Sequence, residues 1–374
     1  MFINKDYQII ANWVDLQIMK IEQRFNLLDG ARGIAAIGVL AAHVGDAPRA
    51  LVGWGAYWVE FFFVLSGFVL LPTLKKLSQF EMCNRYKNGT TWIKLRLVRF
   101  WTVLIPALTI FLAIQIAEYI LEKHSGNFGA APSLFPDQLN SLVSAIFLTQ
   151  VFYENSLLWH GPAWSLSVEI WVNIIAVLLN AGKNLTRQII LSFAGFIILI
   201  FVISENNPDL GSNFGPGFLI SGFSLGLFGF FLGMTTREYW NFKMPKIPLR
   251  FVYLFALTYV VFVFVISRNG QYTVLTATIV TIISSPLVFI LASVKNENIN
   301  KKIFGVNSVL GESSFGVYLL HPISMVAIDK FFNGALNWLT FFAIATILTI
   351  IFAVTLKRVT EPALLRVFKK LLFI

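Results

Sequence analysis

Residues Leu27 to Gly45 read LLDGARGIAAIGVLAAHVG, which is the first long apolar run of the chain. A run of this length is typical of a helix that crosses a lipid bilayer. Arg32 and His43 are eleven residues apart, so their side chains project from nearly the same face, roughly 16 Å apart along the axis. Ionisable groups are costly in lipid and usually line an interior path. The stretch therefore predicts a helix at the wall of a site, although Arg32 could instead extend to the interface and His43 could be an ordinary packed histidine.

The composition of the whole chain is that of a polytopic membrane protein. Of its 374 residues 57% are hydrophobic and 13% are charged, and the mean hydropathy is +0.73. Soluble domains carry about 25% charged residues. The single cysteine, Cys83, excludes an internal disulfide framework and argues against a thiol nucleophile or a cysteine-based metal site, so we predict no metal centre. Residues 1–26 lack the apolar core of a cleavable signal peptide.

The predicted fold class is all-α, with about ten transmembrane helices. Apolar runs occur at 27–45, 56–74, 98–121, 162–181, 188–204, 214–235, 249–267, 273–294, 313–331 and 336–356. A further run, 139–153, is too short to cross the membrane and is predicted to be a re-entrant or interfacial segment.

The basic residues predict the topology of these spans. With a cytoplasmic N-terminus, most of the 29 Lys and Arg residues fall on the inner side, and only Arg49, Lys123, Arg268 and Lys330 fall outside. The net charge of +10 is therefore interpreted as a topology signal, with no nucleic-acid partner predicted. Segment 1–26 is expected to be cytoplasmic, as is a basic C-terminal tail, 357–374.

Several ionisable residues in or beside the spans are candidates for chemistry. Glu60 lies near the outer end of the second span, where a short connection can bring it beside His43. A carboxylate there would fix the tautomer of a histidine base, or it could simply cap the interface. Arg96 and Arg99 lie one turn apart where the third span leaves the cytoplasm, and they could bind a substrate phosphate or lipid phosphates.

The stretch LLWHGPAWSLSVEIW precedes and enters the fourth span. His160 and Trp164 are expected at its outer mouth, where the tryptophan could also belong to an interfacial belt. Glu169 falls about two turns into the span and needs a partner or a proton at that depth.

Near the C-terminal end, SSFGVYLLHPISM places His321 about 12 Å from the inner side of the ninth predicted span. Tyr318 shares its helix face, and Pro322 has no N–H and so leaves the Tyr318 carbonyl free. A packed core histidine is the alternative interpretation.

These motifs resemble those of the acyltransferase family 3 integral membrane proteins, such as O-antigen and exopolysaccharide O-acyltransferases. LDGARGIAAIGVLAAH is similar to the first helix of that family, with Arg, ten residues, then His. VEFFFVLSGFVL resembles its second helix, RLVR its cytoplasmic Arg-x-x-Arg, WSLSVE its Trp-Ser-Leu-x-x-Glu, and SSFGVYLLHP its Tyr-x-x-His element. The five motifs stand in family order between residues 27 and 322.

The resemblance implies an acyltransferase membrane domain over 27–356 in the inner membrane. It implies transfer of an acyl group, commonly acetyl, from cytoplasmic acyl-CoA to a hydroxyl of an extracytoplasmic glycan or lipid-linked saccharide. No permanently bound cofactor is expected. The resemblance places His43 in the catalytic position, Arg32, Arg96 and Arg99 on the donor side, and Glu169 and His321 at the remaining motif positions. From the residues themselves we predict that His43 deprotonates the acceptor hydroxyl and that Glu60 or Glu169 orients it as a second catalytic residue. The residues predicted on the acceptor side are His160, Trp164, Tyr318 and His321.

This sequence departs from the family pattern after Glu169, where Ile170, Trp171 and Val172 stand in place of a polar residue and an aromatic pair. The departure affects the identity of the acceptor more than the chemistry. A secondary transporter of a small anionic solute is the alternative, since buried charges could line its path. Transporters usually show two related halves, whereas the ionisable residues here crowd the first half.

Overall fold

The computed structural model describes residues 25–48, 53–125, 137–152, 161–206, 216–243, 247–268, 272–295 and 299–372, and this part of the chain is essentially all α-helix. The helices in chain order are α1 Asn26–Ala42, α2 Gly55–Ser78, α3 Met82–Ser125, α4 Asp137–Phe147, α5 Ala163–Leu178, α6 Leu185–Asn206, α7 Pro216–Lys243, α8 Leu249–Ser267, α9 Val274–Ala292, α10 Lys301–Phe332, α11 Trp338–Thr355 and α12 Glu361–Leu371.

The predicted membrane spans all fall on these helices, so the predicted fold class is confirmed. Seven of the described helices are long and apolar enough to cross a membrane, and α5 is a shorter apolar helix. Helix α4 has 11 residues, about 16 Å, and is too short to cross. It lies in the run that the sequence marks as re-entrant or interfacial.

Helices α1 and α10 pack side by side and run in the same direction. The Asn26 side chain donates to the Phe304 carbonyl at 2.9 Å near their beginnings, and the rings of His43 and His321 meet near the end of α1. Between these points Gly33 lies so close to Leu310 that a methyl group would clash with it. Parallel packing is what the first and ninth spans of a ten-span protein require, because odd-numbered spans cross in one direction.

Glycines bring α2 and α7 into backbone contact at the centre of the bundle. A Cβ on Gly67 would lie 1.8 Å from the Phe230 carbonyl oxygen, and one on Gly233 would lie 1.9 Å from that of Val64. Such small-residue contacts are the usual way in which membrane helices approach closely. These two helices also run parallel, as the second and sixth spans must.

Helix α5 begins inside the bundle, which the sequence does not predict. The Tyr318 hydroxyl donates to the Pro162 carbonyl at 3.0 Å and lies 2.7 Å from Ser165 Oγ. Tyr318 precedes His321 by three residues on α10, so the start of α5 lies about one turn below the end of α1, towards the beginnings of α1 and α10. Consequently, residues on α5 lie further from the level of His43 than the sequence predicts.

Two helical segments extend beyond the predicted spans. Helix α10 begins at Lys301, twelve residues before the predicted boundary at 313. After α11 the chain passes through a π-helical turn, Leu356–Thr360, into the amphipathic helix α12. The ring of Phe368 on α12 packs against Trp101 of α3, 5.8 Å between centroids, so the basic C-terminal segment lies against the bundle.

Candidate active site

Two histidines, one from the end of α1 and one from α10, form a pair near one end of the bundle. The ring centroids of His43 and His321 are 4.9 Å apart. His43 is exposed, whereas His321 is completely buried. The pair therefore combines one ring that a substrate can reach with a second ring held beneath it by packing.

Each ring of the histidine pair is oriented by a backbone carbonyl. His43 Nδ1 lies 2.8 Å from the Val39 carbonyl, and His321 Nδ1 lies 2.8 Å from the Tyr318 carbonyl. Because a carbonyl only accepts, both Nδ1 atoms carry their proton, and Nε2 is the atom with the basic lone pair in both rings. The Tyr318 carbonyl is available because Pro322 lacks the N–H that would bind it, as the sequence predicts.

The depths expected for His321 and His43 cannot both hold. The sequence places His321 about 12 Å from the inner side and His43 at the outer end of the first span, yet the two rings are in contact. Helix α10 begins at Lys301, 20 residues or about 30 Å before His321, so its polar first turns extend the helix well beyond the predicted span. His321 consequently lies level with the end of α1.

Glu60 does not orient His43. Its carboxylate is completely buried and accepts hydrogen bonds from the Tyr272 hydroxyl at 2.8 Å and the Thr281 hydroxyl at 3.1 Å. Gly55, where α2 begins, packs against His43, and Glu60 lies five residues further, about 7 Å below. The carboxylate instead links α2 to α9 and its preceding loop, and a catalytic role for it stays a prediction.

Glu169 is held in a cluster of three polar residues inside the bundle. Arg96 of α3 donates a hydrogen bond to its carboxylate and forms an ion pair with it, and Ser66 of α2 donates to the same oxygen at 2.7 Å. The Arg96 and Glu169 side chains are 13% and 21% exposed. We call Ser66, Arg96 and Glu169 the inner polar cluster. It connects three helices through one carboxylate.

The inner polar cluster lies about 16 Å below the histidine pair. Ser66 follows Gly55 by eleven residues on α2, and Gly55 is level with His43. The prediction that Glu169 orients His43 is therefore wrong. The physical reason is that α5 begins inside the bundle, which moves every residue of that helix away from the level of His43.

The arginines predicted to bind the donor have different environments. Arg96 is mostly buried and occupied by Glu169, and its guanidinium also packs over the Trp92 and Phe100 rings. Arg99 is exposed, and in the described part of the chain its guanidinium has no hydrogen bond or ion pair. Of the two, only Arg99 is free to bind a phosphate.

Arg32 and Lys357 lie close together against α10, towards the end of the bundle opposite the histidine pair. Arg32 donates to the Gly311 carbonyl at 2.5 Å and lies 3.5 Å from Asp29, while Lys357 donates to the adjacent Glu312 carbonyl at 3.2 Å. Lys357 belongs to the π-helical turn after α11. Its spatial proximity to Arg32 gives no signal in the sequence, because the two residues are far apart along the chain.

The predicted acceptor-side residues are only partly described. Tyr318 is buried and joins α10 to the start of α5. Trp164 is half-buried and packs its ring 6.2 Å from that of Phe63. His160 lies outside the described residues. Among the residues that the structure describes, no group of three or more His, Cys, Asp or Glu side chains could hold a metal ion.

Comparisons with known proteins identify the family of the chain. The acyltransferase domain model of acyltransferase family 3 matches residues 25–358, which is most of the chain. A curated protein described as "Protein 2 in picA locus", from Rhizobium radiobacter, is 27% identical over 189 residues, covering 49% of this chain and 96% of its own length. No solved structure matches.

The family match covers α1, α10 and every helix between them, so it includes the histidine pair and the inner polar cluster. The family match therefore identifies an enzyme and argues against the transporter alternative. The chain belongs to acyltransferase family 3 and is a multi-pass membrane acyltransferase.

Proposed function

We propose that the protein transfers an acyl group, commonly acetyl, from cytoplasmic acyl-CoA to a hydroxyl of an extracytoplasmic glycan or lipid-linked saccharide. The observation that carries this proposal is the histidine pair, because it presents an exposed base at the outer end of the bundle. A cytoplasmic donor and an outer acceptor then meet at one point, and neither has to cross the membrane completely.

The donor enters from the inner side in this proposal. The phosphates of acyl-CoA bind near Arg99 and Arg32, and its extended arm passes upward between the helices. Arg32 and His43 are separated by roughly 16 Å along α1. The arm of acyl-CoA joins its phosphates to its thioester. A phosphate-binding group and a base on the same helix face, at this separation, can therefore contact the two ends of one donor molecule.

His43 acts as the general base at the outer end. Its Nε2 removes the proton of the acceptor hydroxyl while the oxygen attacks the thioester carbonyl. The carbon–sulfur bond then breaks, an ester forms, and the imidazolium returns the proton to the leaving thiolate. The carbonyl of Val39 keeps His43 Nδ1 protonated throughout, so that Nε2 is the atom that gains and loses the proton.

The inner polar cluster has a structural role in this scheme. Arg96 and Glu169 neutralise each other, and Ser66 satisfies the same carboxylate. The ion pair fixes α3 against α5, and Arg99, one turn further along α3, is thereby held at the donor entrance. Arg96 and Glu169 are thus positioning residues that do not touch the reacting atoms.

Two measurements test the proposal. Purified protein in nanodiscs should release coenzyme A from acetyl-CoA only when an acceptor with free hydroxyls is present. Mass spectrometry of envelope glycans from cells with and without the gene should show a mass difference equal to the acyl group. Envelope glycans of unchanged mass, together with no thioester cleavage, would contradict the proposed function.

A further inference from the structure

Arg237 of α7 is a buried arginine enclosed by aromatic rings. Its guanidinium carbon lies 4.9 Å from the ring centroids of Phe25 and Phe68 and 4.8 Å from that of Trp240. The residue is only 7% exposed. Phe25 and Trp240 also contact one another edge to face, at 5.3 Å between centroids. We call Arg237 and these three rings the arginine cage.

The arginine cage satisfies the charge of Arg237 but not its hydrogen-bond donors. Aromatic rings attract a guanidinium through its face, whereas the N–H groups point outward in its plane. Within the described chain no acceptor or carboxylate binds these groups, and Nε is buried. The indole Nε1 of Trp240 is a second buried donor without an acceptor. Unsatisfied buried donors cost about 1–3 kcal/mol each.

The cage stands apart from the histidine pair, at the cytoplasmic end of the bundle. Phe25 precedes α1 and lies seven residues before Arg32, about 10 Å further towards the cytoplasm. Arg237 lies six residues before the end of α7 at Lys243. A ligand that reaches these donors therefore arrives from the cytoplasm or from the inner leaflet.

We propose that Arg237 and Trp240 form a binding site for the oxyanion of a phosphate group. A planar guanidinium binds phosphate oxygens in a bidentate manner, and the indole N–H supplies a third donor. The phosphate comes either from the nucleotide end of the acyl donor or from the headgroup of an anionic lipid. Binding of the nucleotide phosphate rests on the proposed function, whereas binding of a lipid headgroup does not.

The test compares four variants of the full-length protein. Arg237→Gln removes the cation, and Arg237→Lys keeps the charge but loses the fork of donors. Trp240→Phe keeps an aromatic ring and removes only the indole N–H. Arg250→Gln is the matched control, because Arg250 also stacks on an aromatic ring, Phe251 at 4.9 Å, but is exposed.

Two probes distinguish the sources of the phosphate. Adenosine 3′,5′-bisphosphate is titrated calorimetrically into protein in neutral-lipid nanodiscs. Phosphatidylglycerol retained by the protein from anionic nanodiscs is counted by native mass spectrometry. For either probe, a loss of one charge-assisted contact of about 1.5–3 kcal/mol predicts at least tenfold weaker binding in Arg237→Gln. A smaller loss is expected in Arg237→Lys and Trp240→Phe, and none in Arg250→Gln.

Each outcome decides the proposal. Nucleotide binding that depends on Arg237 and Trp240 supports a donor phosphate, and lipid retention with the same dependence supports a headgroup. If folded Arg237→Lys and Trp240→Phe bind both probes as the wild type does, the site is overturned and the cage is only a brace between helices. An absence of transfer from acetyl-CoA by the wild type would refute the proposed function alone, since neither probe measures transfer.

Discussion

Arg96 binds Glu169 inside the bundle, about 16 Å from His43 along the helix axes. The sequence alone would place Glu169 and His43 in one site, whereas the structure separates them. Glu169 is a partner of α3, and the two histidine rings are oriented by backbone carbonyls.

Because of this ion pair, we expect Glu169→Gln mainly to lower the stability of the folded protein. Arg96 would remain buried without its counter-charge, and breaking such a pair costs about 3 kcal/mol or more. Thermal unfolding in detergent should therefore occur at a clearly lower temperature. The double variant Arg96→Gln, Glu169→Gln should lose less than the sum of the single changes. Glu238→Gln is the control: Glu238 is 15% exposed, but its partner Lys75 is 40% exposed and stays hydrated when the pair is broken, so we expect a loss of about 1 kcal/mol or less.

Arg99 and Arg96 should differ in kinetic effect despite belonging to one motif. Arg99 is exposed and free of protein partners in the described chain, so Arg99→Ala should raise the donor KM roughly tenfold and leave the unfolding temperature unchanged. Arg96→Ala should lower the unfolding temperature. Equal kinetic effects of both variants on a stable protein would refute the division of roles.

Two substitutions of His321 can separate packing from chemistry. Asparagine places a donor where Nδ1 now meets the Tyr318 carbonyl, whereas glutamine places a polar group where Nε2 lies. If the ring merely caps that carbonyl, His321→Asn retains transfer. We expect the opposite result: kcat should fall less in His321→Gln than in His321→Asn, while the KM for the donor stays similar in both variants. Higher activity in the asparagine variant would contradict a role for Nε2 beside His43.

The predicted topology places two thiols on opposite sides of the membrane, so that an impermeant reagent should label only one of them in intact cells. Cys83, the only cysteine, is exposed beside the beginning of α3 and should escape impermeant thiol reagents in intact cells. In a Cys83→Ser background, Gly45→Cys lies in exposed chain just beyond His43 and should be labelled. Labelling of Cys83 with protection at position 45 would invert the protein in the membrane.

The spans could be predicted from sequence because each is a long apolar run. In lipid the backbone N–H and C=O groups of such a run must form their hydrogen bonds within the segment, which requires a helix. Their directions followed from the basic residues, and the parallel packing of α1 with α10 agrees with them. The freed Tyr318 carbonyl was also predictable, since it depends only on Pro322 four residues later.

The contacts between helices could not be predicted in this way. The partner of Glu169 depends on the register of α5 against α3, and that register follows from where α5 begins, which its apolar residues do not reveal. Likewise, the polar first turns of α10 have no hydropathy signal, so the sequence does not predict that His321 lies beside His43. From the sequence Arg237 is only one of many basic residues that indicate the topology, because two of its three rings, Phe25 and Phe68, come from distant parts of the chain.

Substitution of His43 shows whether this residue is the base of the acyl transfer. Transfer of radiolabelled acetyl groups from acetyl-CoA to the glycan acceptor is measured in proteoliposomes for the wild type and for His43→Ala. Ile34→Ala is the control, because Ile34 is an exposed residue of the same helix. We expect kcat to fall about 10²–10⁴-fold in His43→Ala with an unchanged unfolding temperature, and no fall in the control. Transfer by His43→Ala at nearly the wild-type rate would show that His43 is not the base.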